Sequence, residues 1–351
     1  MLSFGSEPPG PIEGVRERSV PHNLLPSIVA NLATPDPLLP MQARLYLSRA
    51  MRAAVRDEIA SNRPDVVHVT LARLAPYMSG LPPEVHVHVD FVDALSLNML
   101  TRARGSRFPA SAAFALEARL MARYEGRVAA RADSASVVSE RDRLSSPGLA
   151  SAAVIPNGVD LEELTFMAPA ERAPVALFFG NLGYFHNIEP ARQAALEILP
   201  RLRRHAPDVS LRIAGARPAP SVMELAGRDG VEVAPDVPSM LAELHRAAVA
   251  ILPSSSGSGI KNKVLEAFAA GTPVVTNPAG IDGVVGAEPG VHYLEADGPD
   301  ALAEACAALL ENADERVRLA AAARKLVEED YSWDSRAEAL LELYGDQGSR
   351  G

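Results

Sequence analysis

The strongest constraint on the fold is a repeated alternation of strand and helix patterns in the second half of the chain. From "VALFFG", near residue 175, to "PVVTN", near residue 273, short apolar strands alternate with helical segments. Such alternation is typical of a parallel sheet covered by helices. Residues from about 165 to 330 are therefore predicted to form a nearly complete doubly wound α/β domain.

The first half of the chain carries a shorter version of the same pattern. A helical segment ends at Pro64, and the strand patterns "DVVHVT" and "EVHVHVDF" follow it. Residues up to Pro40 are rich in Pro and Gly and are predicted to be irregular. A doubly wound domain ordinarily begins with a strand and a glycine-rich turn. The first domain is therefore predicted to lack its first strand–helix unit, either truly or because the real start lies upstream.

The length of 351 residues favours two domains. The Asn-Gly turn in "NGVDLEEL" marks a boundary between them. We predict a first domain over residues 1–160 and a second over 161–330. Residues 331–351 are predicted to form a C-terminal helix that crosses back to the first domain.

Composition excludes several classes of protein. The net charge of −10 disfavours a general nucleic-acid binder. No apolar stretch is long enough for a transmembrane helix, and the first residues lack the pattern of a secretory signal. The single cysteine, Cys306, fits a reducing compartment. We therefore expect a cytoplasmic protein.

A glycine-rich loop opens the helical pattern in "SSSGSGIKNKVLEAFAAGTPVV", residues 254–275. Free amides and partial positive charge at a helix N-terminus favour anions, and glycine permits close approach. The predicted diphosphate cradle consists of Gly257, Ser258, Gly259 and Ile260. Lys261 adds a positive charge there, and Glu266 is placed to accept hydrogen bonds from sugar hydroxyls. The alternative is a flexible loop with solvated lysines and a surface glutamate.

Two further glycine turns follow strand patterns. In "LFFGNLGYFHN", Gly180 and Gly183 stand directly after a strand and before a helix, and "RIAGARP" repeats this arrangement with Gly215. Ligands of open parallel sheets bind at the carboxyl ends of strands. These turns are predicted to form the other wall of the same pocket, although a tight strand-to-helix turn alone would give the same pattern.

Together these motifs resemble the retaining glycosyltransferases of family 4, which have the GT-B fold. The resemblance rests on "GSGIKNKVLEAFAAGTPVVTNPAGIDGV", "FFGNLGYFHN", "LRIAGARP", "VIPNGVD" and "YSWDSRAEALLELY". It is strongest to bacterial sugar transferases of exopolysaccharide and related glycan pathways. It implies two Rossmann-like domains that face each other across a cleft. The second would bind a nucleotide-sugar donor, and the first a glycan or lipid-linked acceptor.

The resemblance also implies roles for individual residues. Gly180 and Asn181 would line the donor diphosphate, and Gly215 and Val237 would lie near the base. Glu266 would bind the ribose hydroxyls. The phosphate contacts would come from Gly259, Ile260 and Lys261.

The sequence departs from the family pattern at two places. Ser258 stands where relatives have the first glutamate of their two-glutamate motif, so the resemblance supplies no carboxylate contact to the donor sugar and leaves the donor open. The arginine and lysine that follow the first glycine turn in many relatives are missing from "LGYFHN". Lys261 and Lys263 would then stabilise the leaving diphosphate instead.

The implied chemistry needs no metal and no cofactor, because lysine and the helix dipole neutralise the diphosphate. The acceptor hydroxyl would attack from the face that the diphosphate leaves. Two alternatives stay open. One is a non-catalytic GT-B partner protein, and the other is an enzyme similar to nucleotide-sugar 2-epimerases.

The candidates in the first domain lie in "HVHVDFVDALS". His86, His88 and Asp90 alternate, so they point to one face of a strand. A metal site is one interpretation, although packed or hydrogen-bonded histidines are more common. Asp93 follows the strand, and we predict that it contacts the donor sugar or the acceptor. The alternative for Asp93 is an N-cap of the next helix.

A basic stripe occupies the long helical segment before residue 131. Its residues are spaced by one turn: Arg119, Arg123, Arg127 and Arg131. A solvated helix face explains this spacing. The alternative is peripheral docking on anionic lipid headgroups at the inner face of the membrane.

Overall fold

A computed structural model describes residues 1–5, 14–21, 38–254 and 261–345. The chain folds into two compact units. The first contains Met1–Ile155 and takes up the chain again from Ala339, whereas the second spans Pro156–Glu338. The last helix, Trp333–Tyr344, therefore begins in the second unit and ends in the first. Our predicted boundary at residue 160 lies a few residues beyond the one in the structure.

The first unit is built on a four-stranded parallel sheet with the strand order β3-β4-β5-β6. Helices pack on it in the alternating order that the sequence indicates. Its elements are β1 (Leu2–Phe4), β2 (Arg18–Val20), α1 (Met41–Arg44), α2 (Arg49–Asn62), β3 (Val66–Thr70), β4 (His86–Asp90), α3 (Leu95–Gly105), α4 (Ala110–Ala129), β5 (Ser134–Val137), α5 (Glu140–Ser145) and β6 (Ala153–Val154).

The start of the chain differs from the irregular structure that we predicted. Strands β1 and β2 pair in parallel as a separate two-stranded sheet. Phe4 of β1 packs with Val20 of β2 and Met51 of α2 in a small apolar cluster. Each strand has only three residues, so neither shows a period that a sequence pattern could reveal.

The second unit contains a six-stranded sheet with the order β12-β11-β10-β7-β8-β9, in which every pair is parallel. Its elements are β7 (Val175–Phe179), α6 (Phe185–Gln193), α7 (Leu199–Leu202), β8 (Ser210–Gly215), α8 (Pro220–Met223), β9 (Val231–Pro235), α9 (Met240–Arg246), β10 (Val249–Ile251), α10 (Asn262–Ala270), β11 (Val274–Thr276), α11 (Pro278–Ile281), β12 (Leu294–Glu295), α12 (Pro299–Glu311), α13 (Ala313–Asp330) and α14 (Trp333–Tyr344).

Helices cover both faces of this sheet, so successive side chains of the central strand β7 are buried in two different apolar clusters. Phe178 packs into one apolar cluster, whereas Leu177 and Phe179 pack into the other. All five residues of β7 are buried. The fold therefore holds the carboxyl end of β7 in a fixed position at the centre of the sheet.

Helix α10 is the apolar segment that follows the glycine-rich loop. It buries six of its nine residues, among them Leu265 and Phe268, against the sheet. It ends at Gly271, whose φ of 77° is left-handed and suits glycine at this position. A Cβ on Gly271 would meet the Met167 carbonyl oxygen at 2.7 Å. The helix is thus fixed along its length, and its first turn lies at the carboxyl edge of the sheet.

Among the residues that the structure describes, every helix is too short or too polar to span a bilayer.

Candidate functional site

The turns that follow β7 and β8 pack directly against each other. Gly180 has a φ of 138° and Gly215 a φ of 150°, and a Cβ on Gly215 would come within 1.7 Å of the Gly180 carbonyl oxygen. The Gly180 amide donates to the Ala214 carbonyl at 3.1 Å. Glycine is needed here because any side chain would collide with the neighbouring turn. The two strand ends therefore present closely packed backbone rather than side chains.

Asn187, in the first turn of α6, connects the first glycine turn to α10. Its Nδ2 donates to the Asn181 carbonyl at 2.9 Å, and its Oδ1 accepts a hydrogen bond from Lys263 Nζ at 2.9 Å. Asn181 is exposed, and its Oδ1 accepts from the Gly183 amide at 3.1 Å. The structure thus brings the predicted residues Gly180, Asn181 and Lys263 into one site.

Lys263 is partly buried beneath the first glycine turn. Its Cδ would lie 3.1 Å from a Cβ on Gly180, and its Nζ lies 4.7 Å from the centroid of the Phe178 ring. Burial lowers the pKa of Lys263 to about 8, with Lys261 adding to the effect and Glu266 opposing it. An anion bound at this turn would restore the full charge of the ammonium group.

Glu266 lies one turn along α10 from Lys263 and is half-buried. Burial raises its pKa, Glu163 adds to that shift, and Lys263 counteracts it. Its carboxylate forms no hydrogen bond or ion pair with the described residues. A partly desolvated acceptor of this kind gains most when a ligand supplies hydroxyl donors.

The two ends of the glycine-rich loop are anchored, although the predicted contacts of Gly257, Ser258, Gly259 and Ile260 lie outside the described residues. At one end, Asn277 accepts from the Ser254 amide at 2.9 Å and donates to the Ser254 carbonyl at 2.8 Å. At the other end, Lys261 is the N-cap residue of α10. Both anchors lie at the carboxyl edge of the six-stranded sheet.

Val237 and Gly215, which were predicted to lie near the base, are neighbours in the structure. The Asp236 amide donates to the Gly215 carbonyl at 2.9 Å, and Asp236 Oδ1 accepts from the Arg217 amide at 3.1 Å. Val237 is half-buried and packs on the adjoining apolar core. The second glycine turn is therefore braced by the segment that carries Val237.

Asp93 belongs to the first unit and lies in a constrained turn after β4. Val92 has a φ of 57°, which is rare for a β-branched residue, and its amide donates to Asp90 Oδ1 at 3.0 Å. Asp93 does not cap α3, because the N-cap residue is Ala94, whose amide donates to Asp142 Oδ1 at 3.1 Å. The alternative that we gave for Asp93 is therefore wrong, and its predicted ligand contact stays a prediction.

The strand histidines of the first unit form a hydrogen-bonded network. His86 Nε2 and His88 Nδ1 both contact Ser134 Oγ, at 2.8 and 2.9 Å, and His88 Nε2 contacts Ser136 Oγ at 3.1 Å. Burial lowers the pKa of His88 to about 4, with contributions from His68 and His86. The described residues hold no group of three or more His, Cys, Asp or Glu arranged to bind a metal ion. Hydrogen-bonded histidines are thus the interpretation that fits this strand.

Two asparagines of the site were missing from our sequence interpretation. Asn187 stands within a helical pattern, 76 positions away from its partner Lys263, and this separation hides the contact. Asn277 ends the strand pattern "PVVTN", which carries no sign of its hydrogen bonds to Ser254. The available signal was position alone, since each asparagine closely follows a strand of the parallel sheet, where ligands bind.

Comparison with known proteins supports the family resemblance. Residues 173–312, all within the second unit, match the family described as Glycosyl transferases group 1. A glycogen synthase of Mycobacterium tuberculosis is 36% identical over 223 residues, which are 60% of this chain and 52% of that protein. The chain thus spans about half the length of that relative. A phosphatidyl-myo-inositol mannosyltransferase of the same species is 27% identical over 363 residues, or 95% of this chain and 88% of that protein.

Solved structures confirm the fold class. A glycosyltransferase from Rickettsia africae superposes with a TM-score of 0.61 at 14% identity, over 95% of this chain and 86% of that chain. The predicted α/β fold of the GT-B class, with two Rossmann-like domains, is therefore confirmed. The retaining stereochemistry and the exopolysaccharide subgroup stay predictions.

Proposed function

We propose that the chain is a glycosyltransferase that moves a sugar from a nucleotide-sugar donor to a hydroxyl acceptor in glycan, polysaccharide or glycolipid biosynthesis. The observation that carries the proposal is the convergence of Gly180, Asn187 and Lys263 at the carboxyl end of β7. Partly exposed backbone and a partly buried cation at a strand end suit a diphosphate. The match of residues 173–312 to glycosyl transferases supports it from an independent direction.

We assign to Lys263 the role of neutralising the charge on the leaving diphosphate. Its ammonium group is held by Asn187 and half desolvated, so an incoming anion finds a positioned cation and displaces little water. Lys261, at the N-terminus of α10, adds a second positive charge next to the glycine-rich loop. These two lysines take the place of the arginine and lysine that are missing after the first glycine turn.

We assign to Glu266 the role of accepting hydrogen bonds from the ribose hydroxyls of the donor. Its carboxylate is half-buried and lies on the same side of α10 as Lys263, because residues three apart are neighbours on a helix surface. Two hydroxyl donors would satisfy both oxygens and offset the cost of burial. In this arrangement Gly215 and Val237 lie on the side of the pocket where the base would bind.

The transfer step is proposed to retain configuration at the anomeric carbon. The bond from that carbon to the diphosphate oxygen breaks, and the acceptor hydroxyl forms the new bond from the same face. The departing phosphate oxygen takes up the hydroxyl proton. Lysine charge and helix dipole neutralise the diphosphate, so the proposal requires neither a metal nor a cofactor. Asp93 is proposed as a polar contact to the donor sugar or the acceptor.

Thermal unfolding in the presence of UDP, GDP, dTDP and ADP tests the donor site directly. At least one nucleotide should raise the melting temperature, because a ligand that binds only the native state stabilises it. The shift should disappear in Glu266→Gln and Lys263→Met, and persist in the exposed variant Lys325→Met. If no nucleotide shifts the wild-type protein, or if both site variants respond like wild type, the donor site is misplaced.

The protein is then incubated with nucleotide-sugars of the nucleotide that raises its melting temperature, with and without hydroxyl acceptors. This separates the possible activities. Transfer to an acceptor is the expected result. Conversion of the donor alone to its 2-epimer would identify an epimerase instead. Binding without either reaction would favour a non-catalytic GT-B partner protein.

A further inference from the structure

The tip of the α3–α4 hairpin, residues 100–123, carries large apolar side chains that the protein does not bury. Phe108, in the turn between the helices, is 84% exposed. Leu116, two turns into α4, is 59% exposed, and Leu100 of α3 is 37% exposed. Exposed apolar groups that cluster in one place mark an interaction surface more often than scattered ones do.

The same hairpin tip is strongly basic. Five exposed arginines lie in the same segment, and none of their guanidinium groups forms an ion pair or a hydrogen bond with the part of the chain that the structure describes. They are Arg102, Arg104, Arg107, Arg119 and Arg123. The only acidic residue in this segment is Glu117, whose carboxylate accepts from the Gln42 amide at 2.9 Å. The positive charge is therefore not neutralised within the hairpin.

The helix dipole explains the positions of only some of these arginines. Arg102 and Arg104 lie in the last turn of α3, where cations interact favourably with the helix dipole. Arg119 and Arg123 lie in the middle of α4, where the dipole gives no such benefit. They continue the exposed stripe that begins at Leu116, opposite the buried face of the helix that carries Met121.

We propose that the hairpin tip is a docking surface for the headgroup region of an anionic membrane. An amphipathic helix buries its apolar face about 5–10 Å into the headgroup boundary. Phe108 and Leu116 would enter this layer, while the guanidinium groups reach the lipid phosphates.

A membrane fits these side chains better than an acidic protein partner does. The five arginines lie on two helices and the turn between them, with no hydrogen bonds that hold them in a fixed pattern. Such an arrangement suits a fluid array of phosphates, each of which can move to a guanidinium group. This inference does not rest on the donor site, because binding to a membrane is measured without any transfer reaction.

Co-sedimentation with vesicles tests the proposal. The wild-type protein should bind vesicles of phosphatidylcholine with phosphatidylglycerol, should bind phosphatidylcholine alone far more weakly, and should dissociate as salt is raised. Arg119→Gln with Arg123→Gln should weaken binding at least tenfold, because each arginine near an anionic surface contributes about fivefold. The matched control is Arg204→Gln with Arg228→Gln, two exposed arginines of the second unit that lose the same charge.

Phe108→Ser tests the apolar part of the surface, with Leu144→Ser as its control, since Leu144 is 70% exposed on α5. Phe108→Ser should reduce binding severalfold and remove the fraction that resists salt, whereas Leu144→Ser should bind like wild type. The proposal is overturned if the wild-type protein stays in the supernatant or if both arginine pairs lose binding equally. It is also overturned if Phe108→Ser dissociates a dimer of this chain while vesicle binding is unchanged.

Discussion

The carboxyl ends of the two parallel sheets use polar groups in different ways. In the second unit glycines stand in the turns after β7 and β8, and the Glu266 carboxylate forms no hydrogen bond or ion pair with the described residues. In the first unit the equivalent edge is occupied by its own side chains. Asp90 accepts from Ser136 Oγ at 3.1 Å, and the buried Glu125 accepts from Ser96.

This difference shows that the same architecture can leave its strand ends open for a ligand or use them for its own stability. A site with unsatisfied groups costs stability that a ligand can restore, whereas a satisfied network stabilises the unliganded protein. Substitutions in the second unit should therefore affect mainly nucleotide binding, unless they disturb the packing of the glycine turns. Substitutions of the first unit's polar network should affect mainly stability.

The largest effect is expected for Gly215→Ala, which introduces a Cβ 1.7 Å from the Gly180 carbonyl at a φ of 150°. We expect a loss of about 3–5 kcal/mol in the free energy of unfolding, since backbone strain and a steric clash combine. Urea unfolding measures this loss. Gly227→Ala is the control, because nothing lies within 4 Å of its added Cβ. Equal stability of the two variants would show that the glycine turns are not packed together.

Lys263→Met should weaken the binding of a nucleoside diphosphate about a hundredfold while leaving the protein folded, because it removes a charge-assisted hydrogen bond. The side chain keeps its length, and its contact with Phe178 becomes apolar. Isothermal titration calorimetry measures the affinity, with Lys325→Met as the control for loss of one positive charge. An unchanged affinity would place the diphosphate away from the first glycine turn.

The lowered pKa of Lys263, about 8, predicts how binding depends on pH. The free protein loses the ammonium charge above pH 8, whereas a bound diphosphate would hold the proton to higher pH. Nucleotide affinity should therefore fall about twentyfold between pH 7 and 9.5. Lys263→Arg should keep its affinity over this range, since arginine stays charged. A parallel decline in both proteins would assign the titration to another group.

Most of the second unit could be predicted from the sequence, because its signals are local. Gly180 and Gly215 each stand directly after an apolar strand, and the parallel sheet brings such positions to one edge. The partner of Lys263 could not be predicted in this way. Asn187 follows β7 and Lys263 follows β10, strands that are neighbours in the sheet but far apart in the chain, so no spacing in the sequence marks the pair.

The first unit shows the same limit more strongly. The sequence around Asp93 suggests that this residue caps α3, yet the α3 start is held by Asp142 and Glu125 from later elements. Glu125 lies within a segment that predicts an ordinary helix, and no element is predicted around Asp142. Because these carboxylates lie 48 and 29 positions away from the amides they bind, no local sequence pattern marks the contacts.

The smallest effect is expected for the histidine network of the first unit. The pKa of His88 is lowered from 6.5 to about 4, so the folded protein keeps this imidazole neutral while the unfolded chain protonates it. The stability that His88 contributes is present in full above pH 6.5 and is lost as the pH falls toward 4. Discounted for partial solvation, this amounts to about 1 kcal/mol between pH 6.5 and 5.

Urea unfolding of His88→Gln over this pH range checks the effect, with the exposed His205→Gln as the control. The charged and titratable groups around His88 are His68, His86, Asp90 and Tyr344. The stability of wild type and of the control should decline more steeply below pH 6.5 than that of His88→Gln. Identical slopes in all three proteins would mean that His88 is solvated. The polar network of the first unit would then be open to solvent, and the contrast between the two units would fail.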